Sequence, residues 1–266
     1  LAVSEALSDV EKDRAVLAGA LEKLQQEKEA ASQLAEAKFL NELQKAHEAV
    51  VEQARLSRAL DAVVVATDDA RVLDHVRAHG AKAVMTSANH PSGTDRCFEA
   101  MTILGRTGFD AVVNIQGDEP FIEPAQIDEV CTALRDAPGG IATLAQVVTD
   151  DRDLDDHGEV LITVDVNMDA LYFSRAAIPF LRDAGTGPKH ARFRFLKHVG
   201  LYGYRTDALE RIVQLRPSAL EKAESLEQLR WLENGCKVRV GLTAHASFCV
   251  DTPADLEEAR RRVAAR

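Results

Sequence analysis

The chain has 266 residues, 46% of them hydrophobic and 28% charged, with a formal net charge of −11. That composition suits a globular protein with ample material for a core, and the acidic balance argues against duplex nucleic acid or an anionic membrane surface as partner. Cys97, Cys131, Cys236 and Cys249 lie far apart without a CxxC pair, no apolar run approaches the ~20 residues that cross a bilayer, and the first residues carry no signal-peptide core, so a cytoplasmic protein with reduced thiols is expected.

From Leu1 to about Arg58 there is no Pro and a single Gly, and Ala, Glu, Lys, Gln and Leu dominate. These are strong helix formers. Val3, Leu7, Val10, Leu17, Leu21 and Leu24 follow a three-and-four spacing, and Leu34, Leu40, Leu43 and Val50 continue an apolar face in another register. One or two long coiled-coil-like helices are expected over residues 1–49. Two readings stand for them: packing on a partner or on the body of the protein, or a solvated charged helix with no specific partner.

From Asp61 strands and helices alternate with short loops, which predicts a parallel sheet with helices on both faces, within one α/β domain expected over residues 50–266. Ala62–Thr67 reads as a buried strand, Ala70–His79 as a helix stopped by Gly80, and Ala81–Thr86 as a second strand. The loop His90–Thr94 leads into a helix over Asp95–Leu104, with Thr94 or Asp95 as a candidate cap. Ala111–Gln116 is a strand and Pro124–Arg135 a helix. Further strands are expected over Ile141–Val148, Val160–Asp165, Leu171–Ser174, Val199–Arg205 and Val238–Thr243. Gly185–Lys189 reads as a mobile loop, Ser218–Asn234 as one helix and Pro253–Arg266 as a closing helix.

No Walker A sequence, GxGxxG or HExxH occurs. The chemistry-bearing residues cluster at strand ends, where open α/β sheets bind ligands. Asp118 and Glu119 follow the strand Ala111–Gln116. An Asp fixed there suits a hard cation held against phosphate oxygens, and an acidic loop capping the next helix fits equally. In His90–Arg96, Gly93 permits close backbone approach and Arg96 stands at a helix start, where anions are favoured; an ordinary capping turn is the other reading. Alternation places His198, Gly200, Tyr202 and Tyr204 on one strand face. Asp251 before the last helix is a cap or, paired with Asp118, half of a Mg²⁺ site for phosphoryl or nucleotidyl transfer.

The motifs HPSGTDR, NIQGDEP, ALYFSRAAIP, KHVGLYGYR, SALEKAESLEQLRWLENG and VDTPADLE, in this order, resemble the 3-deoxy-manno-octulosonate cytidylyltransferase family over about residues 50–266. The resemblance implies a nucleotide-diphospho-sugar transferase-like, Rossmann-like fold, a mixed sheet with helices on both faces, to which this chain adds the N-terminal helical segment. It further implies a homodimer that transfers CMP from CTP to the sugar acid 3-deoxy-manno-octulosonate (Kdo), releasing pyrophosphate, in lipopolysaccharide precursor synthesis. By the same resemblance Asp118 and Asp251 match the magnesium ligands and carry the catalysis. Ser92, Gly93 and Arg96 match the loop along the nucleotide and sugar, and Gln116, Arg175, His198, Tyr202, Glu227 and Gln228 match positions that bind the sugar acid.

Two departures stand out. Family members begin with a strand and loop of the type IIPARxxSxRLPGKPL, which cradles the CTP phosphates and lies in the middle of the sheet; residues 1–49 contain nothing like it. The family's Pro-Asn-x-Val-Lys-Val stretch is replaced by residues 157–162, with Leu161 at the Lys position, which removes a phosphate-pairing charge. A second reading, from another class, is a non-catalytic or engineered homologue that keeps sugar-acid binding and uses the N-terminal helices for self-association or partner binding.

Overall fold

The computed structural model describes residues 48–183, 185–246 and 248, together with Lys23, Gln25, Lys28, Glu29, Asp255, Glu257, Ala259, Arg261 and Arg262. The chain divides into two compact units, Leu1–Lys45 and Ala46–Arg266. In the first, the described residues Lys23, Gln25, Lys28 and Glu29 are helical and exposed; the apolar stripe expected over residues 1–49 otherwise lies outside the described residues up to Val50. No helix among the described residues is long and apolar enough to cross a membrane.

In the second unit, residues 48–56 form helix α1. Val50 and Ala54 bury one of its faces in the cluster that includes Ile127, Val130 and Leu134. Its C-terminal end is tied down by Asp128, whose Oδ1 accepts from Ser57 Oγ at 2.6 Å and from the amides of Arg58 and Ala59 at 3.0 and 3.1 Å. Strand β1 (Val64–Thr67) pairs in parallel with β2 (Lys82–Met85), and α2 (Ala70–Ala78) crosses between them. Asp69 caps α2 by accepting from the Arg71 amide, and Gly80, at φ +71°, takes the left-handed turn that ends it.

Next come α3 (Gly93–Leu104), β3 (Ala111–Asn114), α4 (Pro124–Arg135), β4 (Ile141–Val147), α5 (Arg152–Asp155), β5 (Leu161–Val164), β6 (Ala170–Ser174), β7 (Leu196–Arg205), α6 (Thr206–Ile212), α7 (Ala219–Glu224), α8 (Glu227–Glu233) and β8 (Arg239–Leu242). The second sheet runs β6-β5-β7-β4-β8, with β3 also paired to β7. β4 and β8 are parallel, whereas β3, β4 and β5 all run antiparallel to β7. The expected mixed sheet is therefore present, with β7 at its centre.

Burial on both faces explains why β4 reads as a continuous apolar run. Ile141 and Ala145 face a cluster with Phe173, Tyr202, Leu209 and Trp231, while Ala142 and Leu144 face α4 with Val199 and Leu201. The register shifts between Thr143 and Leu144, so Gly200 and Leu201 of β7 bulge. Thr143 Oγ1 holds the bulge, 3.2 Å from the Val199 carbonyl and 2.9 Å from that of Leu201. Two extra residues preserve alternation, which leaves His198, Tyr202 and Tyr204 side by side.

Among the described residues β1 pairs only with β2, and β3 only with β7. No described strand bridges the two sheets at the place where the resemblance puts its first strand.

Several expected boundaries shift. Helix α3 begins at Gly93 with Ser92, not Thr94 or Asp95, as its cap, because the Ser92 hydroxyl accepts from the Asp95 amide. β7 starts at Leu196 rather than Val199, and β5 covers Leu161–Val164. The single helix expected over Ser218–Asn234 is two, since Ser225 takes a left-handed conformation at φ +55° and ends α7 before Leu226 starts α8. Past Gly185–Lys189, Asp151 anchors the chain by accepting from the amides of Lys189 and His190.

Candidate active site

Two helix starts meet at one carboxylate. Ser92 and Thr94 lie at the N-terminus of α3, and Glu227 is the first residue of α8. Glu227 Oε2 accepts from Thr94 Oγ1 at 2.7 Å, and its Oε1 lies 3.0 Å from Ser92 Oγ and 2.8 Å from Arg230 Nη2. Ser92 Oγ is also 2.6 Å from Asp95 Oδ2. Arg230 is buried and reaches 3.3 Å from Glu221 Oε2, while its Nη1 donates to the Leu215 carbonyl at 3.0 Å. One guanidinium thus joins α7, α8 and the turn after α6 behind the site.

Burial pushes the Glu227 carboxyl above its usual range; the Thr94 and Ser92 hydroxyls and Arg230 pull it back in part. A carboxyl raised in the folded state binds its proton more tightly there than when unfolded. Its contribution to stability is therefore greatest at low pH and falls as pH rises through the raised value. Glu227→Gln is expected to flatten this part of the stability–pH profile, measured by urea midpoints from pH 4.5 upward; an unchanged slope contradicts the assignment.

Beside Glu227 runs a column of rings. Tyr202 and Tyr204 stack at 5.9 Å, Tyr202 meets His198 at 5.3 Å, and His198 stands edge-on to Phe173 at 5.2 Å. Trp231 closes one side, edge-on to both tyrosines. Burial pulls His198 down to about 3, so the imidazole is neutral at physiological pH, its Nε2 2.9 Å from Thr143 Oγ1. Burial likewise keeps the Tyr202 and Tyr204 phenols protonated. These groups hold and orient; at neutral pH none of the three is an ionised base.

β3 delivers the remaining polar groups. Asn114 lies against the start of α3, where a Cβ on Gly93 would come within 3.3 Å of its Nδ2, so glycine there permits the close approach. Beyond the strand, Gln116 is exposed, and the turn folds through Glu119 N to Gln116 O and Ile122 N to Glu119 O. Asp118 Oδ1 is buried with no hydrogen-bond partner. An anionic oxygen shielded from water and left without a donor suits a hard cation. Asp251 lies outside the described residues.

Other expected residues have structural partners. Arg96 donates to Thr86 Oγ1 at 2.8 Å and pairs with Asp68 at 3.2 Å, tying α3 to the ends of β1 and β2. Glu99 fixes the loop before α3 by accepting from the Ser87 amide and meeting His90. Arg175 is turned to backbone carbonyls of Glu224, His157 and Gly158. Gln228 is buried on α8. Leu161 is fully buried with Val148, Leu154 and Phe195. Its position is an interior apolar one in this chain, with packing in place of the phosphate pairing expected of a lysine.

The sequence reading did not single out Thr94 as a Glu227 partner, Arg230 or Thr143. Arg230 stands three residues after Glu227, a helical pairing distance that could have flagged it. Thr143 sits in an apolar strand and carries no such signal.

The family described as cytidylyltransferase matches residues 47–239. A 3-deoxy-manno-octulosonate cytidylyltransferase of Parabacteroides distasonis is 48% identical over 208 residues, 75% of this chain and 81% of the relative. One from Bacteroides thetaiotaomicron is 49% identical over 203 residues, again 75% and 81% of the two chains. Among solved structures, a CMP:2-keto-3-deoxy-manno-octonic acid synthetase complexed with CTP superposes with a TM-score of 0.75 at 40% identity, covering 83% of this chain and 88% of the other. A 4-diphosphocytidyl-2C-methyl-D-erythritol synthase from Anaerococcus prevotii, at 12% identity and a TM-score of 0.54, shares the fold. The chain belongs to the cytidylyltransferase family, on its 3-deoxy-manno-octulosonate cytidylyltransferase branch.

Proposed function

We propose that the chain transfers CMP from CTP to Kdo, releasing pyrophosphate. The convergence of the α3 start, the β3 exit and Glu227 of α8 carries this reading, supported by the family membership. The anomeric hydroxyl of Kdo attacks the α-phosphorus of CTP; the new oxygen–phosphorus bond forms as the bond to the β-phosphate oxygen breaks. Asp118, with Asp251, holds Mg²⁺, which supplies neutralisation of phosphate charge when bound. The start of α3 presents Gly93 and its neighbouring amides to anionic groups, as helix N-termini do. Gln116, His198 and Tyr202 offer uncharged polar atoms to sugar hydroxyls, and Glu227 keeps α8 in register with the nucleotide loop.

Within residues 1–266 the nucleotide half of the site is the less complete half. Residues 1–49 lack the family's phosphate-cradling sequence, and the second edges of β1 and β3 have no described partner strand. The protein acts as a homodimer, a reading supported by the resemblance, in the cytoplasm, where free Cys97, Cys131 and Cys236 would stay reduced.

Pyrophosphate release is the test, measured with CTP, Kdo and Mg²⁺ and with each omitted in turn. The reading predicts release that requires all three. Kdo binding without turnover above background contradicts catalysis and leaves the sugar-binding, self-associating homologue.

A further inference from the structure

A second cluster of ligand-type side chains lies away from the phosphate chemistry, between α1 and α2. Glu48 stands in α1, and His75 and His79 stand one turn apart on α2 and its cap. Glu48 Oε1 is 2.7 Å from His75 Nε2 and 3.5 Å from His79 Nε2, and the two rings lie 4.3 Å apart. All three ligand atoms fall within 4.8 Å of one another.

The tautomer of His79 decides what this cluster can hold. Its Nδ1 is 2.8 Å from the His75 carbonyl, which can only accept, so Nδ1 carries the hydrogen. In the neutral ring Nε2 then presents its lone pair toward the Glu48 carboxylate. Lone pair against carboxylate is repulsive unless a proton or a metal cation sits between them. A backbone carbonyl that fixes Nδ1–H and frees Nε2 is also the usual outer support of a metal-bound imidazole.

We propose that Glu48, His75 and His79 form a site for a divalent transition-metal ion of the zinc type, clipping α1 to α2. Tetrahedral zinc with bonds of about 2.0–2.1 Å places its ligand atoms about 3.3 Å apart. The two Glu48 spacings straddle that value, and the two histidine ligand atoms lie within 4.8 Å of each other. His79 is more than half exposed, and its open side leaves the fourth position to water. Two imidazoles and one carboxylate select zinc, cobalt or nickel over Mg²⁺, which keeps oxygen ligands. The site is therefore distinct from Asp118 in both position and preference. Its effect is mechanical: α1 is already fixed to α4 through Asp128, and α2 follows β1, whose exit pairs with Arg96.

The test uses the full chain after chelator treatment, titrated with Co²⁺ by visible absorbance and with Zn²⁺ by calorimetry. One ion per chain is expected, with a four- or five-coordinate cobalt spectrum, no competition from excess Mg²⁺ and a raised melting temperature. His79→Ala and Glu48→Gln, both partly exposed and outside the catalytic groups, are expected to weaken binding by at least about 10–100-fold while keeping the metal-free melting temperature. Absence of stoichiometric binding, or affinity equal to the parent's in both variants, overturns the proposal.

Discussion

Asp118→Asn is expected to lower the rate of pyrophosphate release about 10³-fold while leaving the fold intact. The substitution preserves volume and removes the negative charge from the one buried carboxylate oxygen at the end of β3 that has no hydrogen-bond donor. Metal-ion stabilisation of phosphate charge supplies several kcal/mol in the transition state, and losing about 4 kcal/mol of it lowers the rate about 10³-fold. The loss is expected in kcat, with Kdo affinity and melting temperature little changed, because Asp118 makes no hydrogen bond that supports the turn. Activity within about threefold of the parent contradicts its assignment as the metal ligand.

The second large effect is on stability. Arg230→Ala leaves the half-buried Glu227 and Glu221 without the buried cation they share and frees the Leu215 carbonyl. Removing one partner of a buried ion pair costs about 3–5 kcal/mol, a fall in melting temperature on the order of 10 °C for a domain of this size. Arg230→Lys is expected to recover part of the loss, since an ammonium keeps the charge but not the fork that reaches α7, α8 and the Leu215 carbonyl together. Thermal melts of the two variants at neutral pH check both outcomes. Equal melts for parent and Arg230→Ala mean that the network contributes nothing.

The order of elements from β1 to α4 was legible because its punctuation is local. Gly80 ends α2, Pro124 starts α4, and short β-branched runs mark β1 and β3. The break between α7 and α8 was not legible. Ser225 adopts its left-handed conformation in a stretch of good helix formers, and Leu226 turns into the core because of tertiary contacts, not propensity. The site divides in the same way. Glu227, Tyr202 and His198 match positions to which the resemblance gives a role, whereas Thr94 and Arg230 lie in the same motifs without one and matter for what they touch across the fold. Leu161 shows the reverse: aligned as a lost phosphate contact, it fills an apolar cluster. The zinc-type cluster of Glu48, His75 and His79 was invisible beforehand, since it needs α1 and α2 side by side.

The most direct measurement follows the α-phosphorus. With CTP labelled at that atom, Kdo and Mg²⁺, the account predicts label in a CMP–sugar product and one pyrophosphate released for each transfer. Label recovered only in CTP, or only in free CMP without a sugar product, contradicts it.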